Sequence, residues 1–70
     1  MASTLEGTVK WYNAQKGFGF AACDDGGKDI FVHASVLERA GIRMLGEGQR
    51  LEMRVVKSSK GREAVAITLQ

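Results

Sequence analysis

The chain contains no proline, one cysteine and one histidine. Each shortage removes a class of protein. A single cysteine cannot close an internal disulfide, and one cysteine with one histidine offers too few soft ligands for a structural zinc site. No metal and no cofactor are expected, and Cys23 reads as a small, partly buried hydrophobic residue. No stretch approaches the ~20 apolar residues of a membrane-spanning helix, and the N-terminus lacks a charged-then-apolar secretion signal. The expectation is a cytoplasmic protein with no membrane partner. His33 has no sequence-evident nucleophile or metal partner, so an enzyme acting on a small-molecule substrate is not expected.

Length and charge narrow the field further. Seventy residues make one domain, 1–70, which buries only about 60% of its unfolded surface. The formal net charge of +2 permits nucleic-acid binding without demanding it. Distribution says more than the total. Lys10 and Lys16 lie near the aromatic residues, and Lys57, Lys60 and Arg62 fall in what reads as one short loop. Glu38, Glu47 and Glu52 lie in the second half, away from the aromatic run.

What the chain does have is concentrated. Lys16-Gly17-Phe18-Gly19-Phe20 is followed by Ile30-Phe31-Val32-His33. Side chains alternate between the faces of a strand, so Phe18 and Phe20 share one face, flanked by glycines that add no bulk. Phenylalanines at period two also describe the core face of a sheet. The second segment shifts the balance toward a platform. Its Ile30/Val32 face is branched and aliphatic, as a core requires, whereas its Phe31/His33 face carries a titratable ring that a small core would have to satisfy by hydrogen bonding. If Ile30 and Val32 face inward, Phe31 and His33 face solvent, and exposed aromatic patches mark contact sites. Bases stack on such rings, and neighbouring lysines attract phosphate.

The remaining pattern places these segments in an all-β fold. Leu5 to Asn13 reads as a first strand, Asn13 to Gly17 as a tight turn and Gly17 to Cys23 as a second strand. Asp24-Asp25-Gly26-Gly27 is a turn, and Asp29 to Ala34 is a third strand. Ser35 to Glu38 fits a capping box opening a short helical turn that Gly41 ends. After a loop over Ile42 to Gly48, Gln49 to Val56 alternates as a half-buried strand with Leu51, Met53 and Val55 on one face. Ser58 to Gly61 turns the chain into a last strand, Glu63 to Leu69, with Val65, Ile67 and Leu69 on its apolar face. Five short antiparallel strands, with a longer helical connection after the third, favour closure into a small barrel, because closure removes reactive edges. The five-stranded oligonucleotide-binding (OB) barrel has this count. An SH3-like barrel gripping peptides through its aromatic patch is the competing architecture.

Four segments together resemble the cold-shock protein family: Gly7-Thr8-Val9-Lys10-Trp11-Tyr12-Asn13, Lys16-Gly17-Phe18-Gly19-Phe20, Asp29-Ile30-Phe31-Val32-His33 and Glu47-Gly48-Gln49. Their order and spacing match the short, single-domain bacterial members, and the second and third look like that family's two RNA-binding motifs. The resemblance implies an OB-fold barrel that binds single-stranded RNA and DNA without catalysis, acting as a monomeric RNA chaperone with effects on transcription termination and translation. Carried over by position, it implies that Trp11, Phe18, Phe20, Phe31 and His33 stack bases. Lys10, Lys16 and Lys60 would meet phosphates or base edges, Asn13 and Asp29 would hydrogen-bond bases or position neighbours, and Tyr12 would supply a further ring. The chain departs from the family pattern in places: Ala34 follows His33 where many bacterial members carry another ring, Ile42 stands where phenylalanine is common, Gly61-Arg62 where glycine-proline is common, and Cys23 close to where many relatives have proline.

Gly17 to Ala22 formally fits a dinucleotide-binding fingerprint. That motif needs a strand before it and a helix after it, whereas here the glycines sit inside a strand and a turn follows.

Overall fold

The computed structural model describes residues 3–59 and 61–70. Strands β1 (Ser3–Asn13), β2 (Phe18–Cys23) and β3 (Ile30–His33) form a meander, followed by helix α1 (Ala34–Ala40) and then strands β4 (Arg50–Ser58) and β5 (Gly61–Leu69). The strands close into a barrel in the order β1-β2-β3-β5-β4. The long first strand makes closure possible: its first half pairs with β4 and its second half with β2. All pairs are antiparallel except β3 with β5, which run parallel and seal the barrel. This is the five-stranded OB-type barrel that the strand count favoured.

The core fills the barrel with side chains from every strand. Ile30, Leu51 and Met53 are fully buried, as is Ala21, and Val9, Val32, Val55, Ala64 and Ile67 surround them. Val36 and Leu37 of α1 cover one end, joined by Leu45 from the loop that follows. On β4 the expected alternation is present, with Leu51, Met53 and Val55 inward and Glu52 and Arg54 outward.

Two local expectations fail for identifiable reasons. On β5 only Ile67 of the three expected apolar-face residues is buried; Val65 is 37% exposed and Leu69 46%. Arg54 pairs with Ala66 but Val55 pairs with Ala64, so Val65 is an extra residue in a β-bulge. The bulge breaks the period of two and turns Ala64, not Val65, into the core. At the helix, the cap is His33 and not Ser35. His33 has extended backbone (φ −94°, ψ 152°), and its Nδ1 accepts the Ser35 backbone N–H at 3.1 Å. Nδ1 lies as many bonds from Cα as the side-chain oxygen of asparagine or aspartate, the preferred caps, so the ring closes the same loop. Gly41 ends the helix as expected, in the left-handed region (φ 73°), with its N–H bonded back to Glu38.

Element ends also shift. β5 begins at Gly61, so Arg62 is a strand residue, and Lys57 belongs to β4 rather than to a loop shared with it. Two arginines stand against the β2–β3 turn. Arg50 of β4 grips Asp24 through both guanidinium nitrogens at 2.6 and 2.8 Å and donates to Thr8 Oγ1. Arg62 of β5 donates to both oxygens of Asp25, at 2.8 and 3.3 Å, and to the carbonyl of Lys28. The hydrogen bond from Arg50 holds the Asp24 carboxyl below its usual range. The bonds from Arg62, and then from the Gly27 amide, hold the Asp25 carboxyl well below it.

A carboxyl whose folded-state pKa is depressed stabilises the fold above its unfolded pKa and loses that contribution as pH falls through the folded value. Melting temperature is therefore expected to fall as pH drops below the ordinary carboxylate value of about 4. The Asp25→Asn variant is expected to melt lower at neutral pH and to show a shallower acid slope. A variant whose melting curve keeps the full wild-type slope down to strong acid would show that this clamp is not the source.

Candidate nucleic-acid interface

The outer face of β1, β2 and β3 is built by register. Across the three strands Trp11, Phe20 and Phe31 are neighbours in one row, and Asn13, Phe18 and His33 in the next. Directly paired residues share a face, so these rows stand side by side. The inner face carries Tyr12, Gly19 and Val32 in one row and Val9, Ala21 and Ile30 in another.

Trp11 reaches the outer face through a bulge. Val9 pairs with Ala21 and Trp11 with Phe20, leaving Lys10 as the extra residue. Simple alternation would place Trp11 inward with Val9; the inserted residue turns it outward, where it is 38% exposed. The inner row then needs glycine at position 19. A Cβ there would lie 2.3 Å from the carbonyl oxygen of Trp11 and 2.7 Å from Cα of Tyr12. Only a residue without a side chain lets β1 and β2 approach this closely.

The result is a continuous patch of five rings. Centroid separations are 5.5 Å for Trp11 to Phe18 and to Phe20, 5.6 Å for Phe18 to Phe31, 5.7 Å for Phe20 to Phe31, and 6.2 Å for Phe31 to His33. Trp11–Phe18, Phe18–Phe20 and Phe20–Phe31 meet edge to face, a favourable quadrupole arrangement. Edge contacts fix the ring orientations and leave much of the ring faces available. Behind the patch, Ile30 and Val32 are 0% and 1% exposed, so the two faces of β3 divide as the sequence indicated.

The polar candidates divide less simply. The Lys10 ammonium lies 2.9 Å from the Asp29 carboxylate, and both groups are substantially solvated. Asn13 closes the β1–β2 turn: its Oδ1 accepts the Lys16 backbone N–H at 3.0 Å and its carbonyl accepts that of Gly17 at 2.8 Å. That leaves the Asn13 amide NH2 to act outward, with the exposed Lys16 side chain in the same turn. Lys60 lies outside the described residues. Tyr12 does not join the ring patch. It packs against the core and lines a separate groove of about 530 Å³ with Ala34, Leu37 and Ile42. Ala34 and Ile42, two of the departures from the family pattern, thus line one groove, where the row of rings stops at His33.

At the opposite edge of the patch is a cleft of about 530 Å³ that sequence reasoning did not anticipate. Phe20, Phe31 and Asp29 line it, together with Ser59, Arg62 and Glu63. It exists because β3 pairs in parallel with β5, bringing Glu63 beside Phe31. No local pattern in the sequence signals that pairing. Among the described residues no group of acidic, histidine or cysteine side chains has metal-binding geometry, and no helix is long and apolar enough to cross a membrane.

Comparison with known proteins agrees with this geometry. The family model of the "Cold-shock" DNA-binding domain matches residues 5–70. The chain is 53% identical over 64 residues to "Probable cold shock protein y4cH" of Sinorhizobium fredii, covering 91% of this chain and 93% of that protein. It is 52% identical over 64 residues to "Cold shock protein CspA" of Rhizobium meliloti, with the same coverage. It is 45% identical over 65 residues to "Cold shock-like protein CspE" of Escherichia coli, covering 93% and 94% of the two chains.

Proposed function

Because the chain belongs to the cold-shock DNA-binding domain family, we propose that its ring patch binds single-stranded RNA and DNA, and that the protein works as a cytoplasmic, monomeric RNA chaperone without catalytic activity. The observation that carries this reading is the outward patch of Trp11, Phe18, Phe20, Phe31 and His33, its rings 5.5–6.3 Å from their neighbours. Every base has a π-face, so such a platform accepts unpaired bases of any sequence, each stack contributing about 1–3 kcal/mol. A duplex keeps its bases stacked on one another and cannot present those faces. Binding therefore favours the unpaired state of a transcript and shifts its folding equilibrium by mass action. This is chaperone activity without an energy source. Lys16 meets phosphate, Lys60 does the same, and Lys10 exchanges its Asp29 partner for a phosphate or a base edge when a strand arrives. Asn13 donates its amide to a base, and Asp29 positions Lys10.

Titration of short single-stranded and duplex oligonucleotides at two salt concentrations tests this reading. Single strands are expected to quench Trp11 fluorescence as a base covers the indole, and duplexes to bind much more weakly. Affinity should fall with salt through counterion release. Lys10→Ala and Lys16→Ala should each reduce that slope by about 0.7, the value of one phosphate left unneutralised. Equal affinity for duplex and single strand defeats the stacking reading, and salt-independent binding would point instead to a peptide-binding barrel.

A further inference from the structure

We propose that Glu63 makes one subsite of the platform selective for guanine. This rests on the reading that the rings stack unpaired bases, and it names which base the edge of the platform prefers. Phe31 and Glu63 are register neighbours in the parallel β3–β5 pair, so their side chains stand on the same outer face. Glu63 is half-buried there, on the wall of the cleft that Phe20 and Phe31 floor. A base lying on Phe31 has its edge directed at whatever lines that wall.

The other charged groups of the cleft are committed. Asp29 holds the Lys10 ammonium at 2.9 Å. Arg62 is spent on Asp25 and on the carbonyl of Lys28. Among the described residues no hydrogen bond or ion pair reaches the Glu63 carboxylate. A carboxylate repels phosphate, so Glu63 has no use as a backbone contact. Its two oxygens accept and cannot donate. What it can read is a base edge that presents donors.

The four bases differ sharply in this respect. Guanine offers N1–H and N2–H side by side, a pair of parallel donors that matches two carboxylate oxygens. Adenine and cytosine each offer one amino donor beside a ring nitrogen whose lone pair opposes the second oxygen. Uracil and thymine offer a single N–H between two carbonyl oxygens. A bidentate contact between side chain and base discriminates strongly when water is excluded, and at a partly open cleft about tenfold is expected.

The test places a single guanine at successive positions of a short oligouridine and follows Trp11 fluorescence. One position should bind about tenfold tighter than oligouridine itself. Inosine at that position, which lacks only the N2 amino group, should lose most of the gain. Glu63→Gln keeps the shape but replaces one acceptor oxygen with a donor. It should remove the guanine preference, so that guanine-containing strands bind no tighter than oligouridine, and its melting curve reports whether the barrel is intact. Equal affinity for guanine, inosine and uracil at every position overturns the inference while leaving the platform standing. So does a Glu63→Gln variant that keeps the preference, or one that weakens all strands alike. Wild-type protein that binds none of these strands overturns the platform reading, and the inference with it.

Discussion

Replacing Phe18, Phe20 or Phe31 by alanine, one at a time, is expected to weaken single-strand binding by about 1–3 kcal/mol each while the barrel remains folded. All three side chains stand on the outer face of their strands, half-exposed, with the core residues Ala21, Ile30 and Val32 on the opposite face. Removing a ring there deletes a stacking surface and leaves no enclosed cavity. The losses are not expected to add. Phe18 and Phe31 lie 5.6 Å apart and Phe20 and Phe31 5.7 Å apart, so each ring orients its neighbours, and residues in contact show coupling. A double variant such as Phe18→Ala with Phe31→Ala should depart from the sum of the single losses. Denaturant unfolding on the same proteins guards the interpretation. If each truncation costs about 3–5 kcal/mol of stability, as loss of a buried phenyl ring does, the rings belong to the core and the platform assignment fails.

The converse change one residue away should do the reverse. Ile30→Ala is expected to destabilise the barrel by about 2–5 kcal/mol, with little effect on the affinity of the molecules that remain folded. Ile30 is 0% exposed and sits between its register partners Ala21 of β2 and Arg62 of β5, so its truncation leaves a cavity inside the core. A domain of 70 residues has little stability to spare, so this single truncation should leave a sizeable unfolded fraction at physiological temperature. Unfolding curves and oligonucleotide titration below the midpoint separate the two quantities. An Ile30→Ala protein that is as stable as wild type would contradict the assignment of this face to the core. Ile30 and Phe31 thus form a paired test: adjacent residues of one strand, with opposite effects on stability and binding.

How much of this was legible in advance differs from strand to strand. The two faces of β3 could be read because that ladder is regular, so alternation in sequence is alternation in space. The same holds for β4 through Val55. Alternation misleads where a bulge intervenes. On β5 the extra residue at Val65 moved the core position to Ala64. On β1 the extra residue at Lys10 put Trp11 on the platform and Tyr12 against the core. A bulge is chosen by how strands fit across the barrel, and the bulged strand's own residues carry little sign of it. The His33 cap was missed for another reason: histidine is an uncommon cap, and only the geometry of Nδ1 against the Ser35 amide reveals it.

The sequence by itself determined the class of the protein. A lone cysteine and the lack of long apolar runs excluded disulfide scaffolds, structural zinc and membrane helices, and period-two patterning with its turn residues specified a small all-β barrel. The spacing of basic, glycine and aromatic residues marked the surface proposed to meet nucleic acid, because those chemical types are fixed by the residues alone. Tertiary structure decided which of them stand together. Closure of the barrel by a parallel β3–β5 pair brought Glu63 to Phe31 and Arg62 to Asp25, and the β1–β2 register gathered five rings into one patch. Those juxtapositions join residues far apart in the chain. They follow from closing the hydrogen-bonded ladder around one core, a global condition that no local stretch of sequence encodes.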